Sequence, residues 1–260
     1  MRINTKIIDR YLENKPIEDH WIYDSIIENE HLFELPLTEK NELIIKIYKK
    51  LIEVLKSFKP LNKDIWQTFF GDTEVGEKTT INLIIGCPDP YDAMVRKSEV
   101  FIDLFRISTY SDDMNVLENI ILNFLTHELA HIIINEYYPR PESNESLQEC
   151  LEYIAFDEGI AHFLAFKENI LSVDWYSEEM NTRRTNAYKT FSYYFNDGIK
   201  ENHKEILIKS NSGAYWDKFA SIAGLFALLD YYKLNGENIG CFKEIFNEGP
   251  KELSKIILGN

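Results

Sequence analysis

What this sequence has little of narrows its class first. Cysteine occurs three times in 260 residues, at Cys87, Cys150 and Cys241, far apart and odd in number. There is no C-x-x-C pair and no even disulfide set, so the thiols read as small buried apolar groups. A reducing, cytoplasmic location is the expectation. Glycine (11) and proline (8) are sparse, which excludes collagen-like and linker-rich chains. Bases are outnumbered 28 to 43, for a net charge of −15. Such a field repels polyanions, and the densest basic group, Lys46, Lys49 and Lys50, reads as the solvated face of one helix. Nucleic acid is therefore not an expected partner. No stretch reaches the roughly 18 uninterrupted apolar residues of a membrane span. The opening residues also lack the apolar core, about 7–15 residues, of a secretory leader. No membrane partner is expected.

What is present is enough apolar material, 45%, to build a sizeable core. Residues 1–36 read as short helices. Thr38 is placed to cap a helix in which Leu43, Ile44, Ile47, Leu51, Val54, Leu55 and Phe58 recur at helical spacing as far as Pro60. Residues 79–86 are β-branched and apolar and stop before Pro88, as a buried strand does. Residues 99–108 read as a second strand. Beyond residue 112 the pattern is helical. Asp112 and Asp113 open a helix ended by Pro139 and Pro141. Ser146 and Glu149 form an S-x-x-E capping box that opens the next. Further helices are predicted over 177–196, 214–234 and 241–246. The expected fold is α+β and predominantly helical. Residues 1–138 form an N-terminal α/β subdomain, residues 139–260 a helical one, and the two make one catalytic unit.

The chemistry is concentrated in His127-Glu128-Leu129-Ala130-His131, an H-E-x-x-H pattern inside the first long helix. Residues four apart share a helical face, so both imidazoles reach one metal ion, and Glu128 is placed to act on a metal-activated water without ligating. Ile120, Phe124, His127, His131 and Ile134 fall on one face, which points the histidines toward the core. The bland alternative, a pair of core imidazoles, would bury polar groups at a cost unless they are paired. A three-residue zinc site needs one more donor. Ile134 and Tyr137 stand where a metzincin carries glycine and histidine, so that class is excluded. The next helix offers Asp157-Glu158-Gly159-Ile160-Ala161-His162. If the two helices fold back antiparallel, Glu158 comes beside His131 and serves as third ligand. Gly159 is explained if its helix packs closely on the metal helix. His162, on the same face as Glu158, is an outer-shell partner, and Asp157 a surface or outer-shell acid.

HELAH followed on a later helix by DEGIAHF resembles the gluzincin metallopeptidases, most closely the bacterial peptidase MA-like families. The resemblance covers residues 112–170. It implies a zincin-like fold, with a small sheet and an active-site helix followed by a helical subdomain. It also implies one Zn2+ per chain and a peptide or protein substrate, and it makes residues 99–108 the edge strand along which extended peptides align. His162 stands where thermolysin-type members carry aspartate, and the G-x-M-E-N exopeptidase loop is absent. A peptidase also needs a donor for the developing oxyanion. Tyr215, whose place after the glutamate helix resembles that of a tyrosine in related families, and His203 are the candidates. His20 and His31 read as structural or surface groups. The expected activity is a zinc-dependent peptidase with Glu128 as general base. The alternatives are a catalytically silent binding protein of the same fold and a di-iron helical bundle, which would need two E-x-x-H units where Glu158 and His162 are spaced one residue too far.

Overall fold

The computed structural model describes residues 1–26, 32–71, 79–89, 91–142, 145–197 and 202–259; His31 lies outside them. In chain order the elements are β1 (Arg2–Asn4), α1 (Lys6–Leu12), α2 (Ile22–Ile26), α3 (Asn41–Lys56) and α4 (Lys63–Phe70). Then come β2 (Thr80–Ile84), β3 (Ala93–Arg96), β4 (Glu99–Asp103), α5 (Leu104–Ser108), α6 (Met114–Tyr137) and α7 (Leu147–Ala165). The chain closes with α8 (Glu178–Asp197), α9 (His203–Asn211), α10 (Phe219–Leu234), α11 (Cys241–Glu248) and α12 (Pro250–Leu258). The fold is α+β, mostly helical, with a small mixed sheet. Two compact units are present: Met1–Pro60 with Thr73–Ile132, and Leu61–Asp72 with Ile133–Asn260. Residues 61–72, which chain order places in the N-terminal part, pack with the second unit, and α6 crosses from one unit to the other after Ile132. Among the described residues no helix is long and apolar enough to cross a membrane.

The first unit holds the sheet, in the order β1-β2-β4-β3. β1, β2 and β4 are parallel, and β3 runs antiparallel to β4. Apolar β2 is buried along nearly its whole length, as a central parallel strand must be. Asn82 interrupts its apolar run and is fully satisfied. Asn4 Nδ2 donates to its Oδ1 at 2.8 Å, and its own amide donates to Glu99 at 2.8 Å and to the Val100 carbonyl, so one side chain ties three strands together. The expectation for 99–108 is corrected in two respects. The strand stops at Asp103, whose side chain accepts the Arg106 N–H at 3.0 Å and caps α5; an N-cap acid outweighs the β propensity of the apolar residues after it. β4 is also internal, so the antiparallel margin of the sheet is β3. Thr38 makes no side-chain cap; it opens a short 3-10 turn ahead of α3.

The β3–β4 turn puts two ordinary residues, Lys97 (φ 51°) and Ser98 (φ 59°), in left-handed conformation. A two-residue hairpin turn of this hand prefers Asn-Gly, and each L-residue held there is strained by about 1 kcal/mol. The double variant Lys97→Asn, Ser98→Gly is expected to gain about 1 kcal/mol in urea unfolding. An unchanged or lower midpoint would mean that the turn is not of this type.

In the second unit α10 is apolar on every side and buried from Phe219 to Leu229. It packs against α7, α8, α9, α11 and α12. α4 joins this core through Phe69 on Phe242 (centroids 5.2 Å apart) and Phe70 on Phe246 (5.4 Å). α7 begins with the capping box read from the sequence. The Ser146 side chain accepts the Glu149 N–H, and the Glu149 carboxylate accepts the Ser146 N–H. Gly159 is explained by a close helix contact, but the helix it meets is α10. A Cβ on Gly159 would stand 2.8 Å from the Gly224 backbone, and one on Gly224 would stand 1.7 Å from the Ala155 carbonyl oxygen. The three cysteines are free, Cys87 and Cys241 buried and Cys150 half-buried.

Candidate functional site

α6 carries the H-E-x-x-H pattern on a face that is not uniform. The stripe Leu117, Ile121, Leu125 and Glu128 is buried. The neighbouring stripe predicted to face the core, Ile120, Phe124 and His127, is only half-buried, and it closes over at His131 and Ile134. The histidine face is therefore partly open, with Glu128 (6% exposed) beneath it. One helical turn apart, the imidazoles of His127 and His131 lie edge to face, with centroids 4.7 Å apart and planes at 86°. Their Nε2 atoms converge to 3.1 Å. Two imidazole nitrogens on one tetrahedral zinc, each about 2.0–2.1 Å from it, are about 3.3 Å apart. The 3.1 Å separation is a hydrogen-bond distance, one ring nitrogen donating to the other, and two imidazole nitrogens are also donors of the type zinc takes.

The second unit presents its own set along α7. Glu158 and His162, at i and i+4, share a face, and their ligand atoms lie within 4.8 Å of each other. Glu158 is half-buried. His162 is buried, its Nε2 shielded from solvent. Asp157, about 100° further round the helix, is buried as well. The Tyr153 hydroxyl, one turn before Asp157, donates to Asn135 Oδ1 at 2.8 Å. Burial, and then the Asp157 carboxylate, push the Tyr153 phenol well above its ordinary range.

Tyr215 opens a 3-10 turn, Tyr215–Asp217, ahead of α10. Its ring stacks on His162, with centroids 5.1 Å apart and planes at 22°, and meets Phe166 and Trp216. Its hydroxyl is buried with no hydrogen-bond partner among the described residues, and that burial raises its pKa far above the usual phenol value. The structure thus brings Tyr215 to His162. His203 sits exposed at the first position of α9, where Asn202 caps the helix. His20, half-buried, accepts the Ile22 N–H on its Nδ1.

The sequence reading missed Asn62. Its Nδ2 donates to the carbonyls of Leu164 (2.9 Å) and Lys167 (2.7 Å), and its Oδ1 accepts the Ile170 N–H (2.9 Å). It thereby fixes the C-terminal end of α7 next to His162. An isolated asparagine some hundred residues upstream leaves no sequence signal for that role. An open depression on α8, lined by Glu178, Asn181, Thr182, Thr185 and Asn186, contains none of the residues above. Comparison of the chain with protein-family profiles, with curated proteins and with solved structures finds no match.

Proposed function

We propose that this chain is a zinc-dependent peptidase of the gluzincin kind, with a zincin-like fold, acting on peptide or protein substrates. The observation that carries the reading is the convergence of the His127 and His131 Nε2 atoms, 3.1 Å apart, on a half-open helix face with Glu128 beneath it. His127, His131 and Glu158 would hold one zinc ion, a two-histidine, one-glutamate set that suits hydrolytic zinc. Bound zinc would supply Lewis acidity, bringing the pKa of a water to about 7 and polarising the scissile carbonyl.

The remaining work falls to the chain. The Glu128 carboxylate takes a proton from the attacking water and hands it to the leaving amine nitrogen. Tyr215, whose buried hydroxyl has no partner among the described residues, donates to the carbonyl oxygen as charge develops. Asp157, with Tyr153 one turn behind it, is an outer-shell acceptor for a ligand imidazole. β3, the antiparallel margin of the sheet, takes the extended substrate by strand addition; this moves the edge role from 99–108 to 93–96.

The test is metal content by mass spectrometry on tag-free protein, beside Glu158→Ala. About one zinc per chain, sharply reduced in the variant, is the expected result. A wild type that carries no metal even after zinc is offered removes the peptidase reading.

A further inference from the structure

We propose that Arg96 is the specificity-determining residue of the β3 edge, and that it selects extended peptides carrying aspartate or glutamate. The inference rests on strand addition at β3 in the preceding reading, and every residue it uses lies in the first unit.

The ladder shows which backbone groups of β3 face outward. The Asp103 N–H donates to the Asp92 carbonyl at 2.9 Å, so these two residues are a hydrogen-bonded pair. The register continues through Ala93 with Ile102, Met94 with Phe101, Val95 with Val100 and Arg96 with Glu99. Bonded and non-bonded pairs alternate along an antiparallel ladder. Met94 and Arg96 therefore bond to β4, whereas Ala93 and Val95 turn their N–H and C=O groups to the margin of the sheet. An added strand must use those groups. The entry to β3 is firmly held. The Asp92 carboxylate accepts Arg106 Nε at 3.1 Å and the Tyr110 hydroxyl at 2.6 Å, and the Arg106 N–H is tied to Asp103 in turn. An edge fixed in this way loses little freedom when a strand joins it.

Arg96 Nη1 donates to the Val95 carbonyl at 2.8 Å. The guanidinium thus engages an outward acceptor of the edge, as charged side chains do where a sheet must be protected from unwanted pairing. An incoming strand displaces it, and the guanidinium then needs another partner. Arg96 makes no ion pair among the described residues. The nearby acids have other duties: Glu99, opposite it across the turn, accepts from Asn82 at 2.8 Å, and Asp92 is held by Arg106 and Tyr110. Exposed Lys97 adds a second positive charge at the turn. A carboxylate on the incoming strand can take two charge-assisted bonds from the guanidinium, which a neutral side chain cannot match. The net charge of −15 opposes an acidic peptide at long range, but physiological salt screens that field over about 8 Å, and Arg96 acts at contact.

The test uses the full chain carrying Glu128→Gln, so that nothing is cleaved. The probes are fluorescein-labelled heptapeptides in which threonine alternates with glutamate, glutamine or lysine, followed by fluorescence anisotropy. The glutamate peptide is expected to bind about tenfold more tightly than the glutamine peptide. Adding Arg96→Ala should abolish that margin while the glutamine peptide binds at least as well as before, a split that general damage to the edge would not produce. Val95→Pro removes an outward N–H without touching the ladder to β4, and should abolish binding of all three peptides. Ala93→Pro does the same at the other outward position if circular dichroism shows the first proline variant unfolded. Equal binding of the glutamate and glutamine peptides, or a margin that survives Arg96→Ala, overturns the role of Arg96. Binding that survives proline in a folded variant, or no binding of any peptide, overturns strand addition at β3 and this inference with it. A chain that holds no zinc and cleaves nothing, yet shows the Arg96-dependent margin, removes the peptidase reading and leaves this one standing.

Discussion

Glu128→Gln is expected to keep its metal and lose at least about 10²-fold in peptide turnover, a rise of about 2.7 kcal/mol or more in the barrier. Glutamine matches glutamate in shape, which matters because Glu128 is only 6% exposed and a smaller residue would leave a hole. The amide cannot accept the proton that the attacking water must lose, nor return it to the leaving nitrogen. The histidines on either side are untouched, so metal binding should persist. The measurement is kcat/KM on a fluorogenic peptide library at neutral pH, with zinc content determined on the same samples. A variant that hydrolyses its best peptide as fast as wild type removes Glu128 from the general-base role. Equal loss of metal and activity would instead assign Glu128 to holding the site together.

Alanine at Gly224 is expected to destabilise the second unit by about 3–5 kcal/mol. Two effects oppose each other. In a helix interior alanine is favoured over glycine by about 1 kcal/mol, and α10 would gain that much in isolation. In the folded unit the new methyl group would lie 1.7 Å from the Ala155 carbonyl oxygen, well inside van der Waals contact. The obstacle is α7 backbone, which cannot turn aside as a side chain can. Relief requires α7 and α10 to separate along an interface buried on both helices, and the lost packing outweighs the propensity gain. Gly159→Ala, whose Cβ would stand 2.8 Å from the Gly224 backbone, should cost less. Urea unfolding followed by tryptophan fluorescence, to which Trp66, Trp175 and Trp216 of the second unit contribute, reads the effect. A Gly224→Ala protein as stable as wild type would show that the two helices do not meet at this point.

The parts of this molecule legible in the sequence are those set by local chemistry. His127, Glu128 and His131 are readable because a 3.6-residue period leaves no choice about which residues share a face. The Ser146–Glu149 box is readable because the bonds that make it span three residues. Apolar α10 announces its burial by having no polar face. The Asp103 boundary was missed because EVFIDLFRIS has β-branched and apolar residues on both sides of the acid, and only the N–H bond from Arg106 shows where the strand ends. β3 was missed because four residues, AMVR, carry too little pattern, and its hairpin turn, Lys97-Ser98, lacks the Asn-Gly signal. α4 has no such signal, because KDIWQTFF is short and no side chain caps it.

By itself, the amino-acid order determined that there would be a helix with two histidines one turn apart and a carboxylate beside the first, a capped helix carrying Glu158 and His162, and cysteines too scattered to form a disulfide framework. These follow from periodicity, capping and composition, each a matter of a few bonds along the chain. Tertiary structure alone decided that residues 61–72 belong to the second unit, that Asn62 pins the end of α7, that Gly159 faces Gly224, and that Tyr215 lies on His162. Each joins residues some 50 to 100 positions apart, and such pairings are chosen by how whole faces fit when they bury together, which no local pattern encodes.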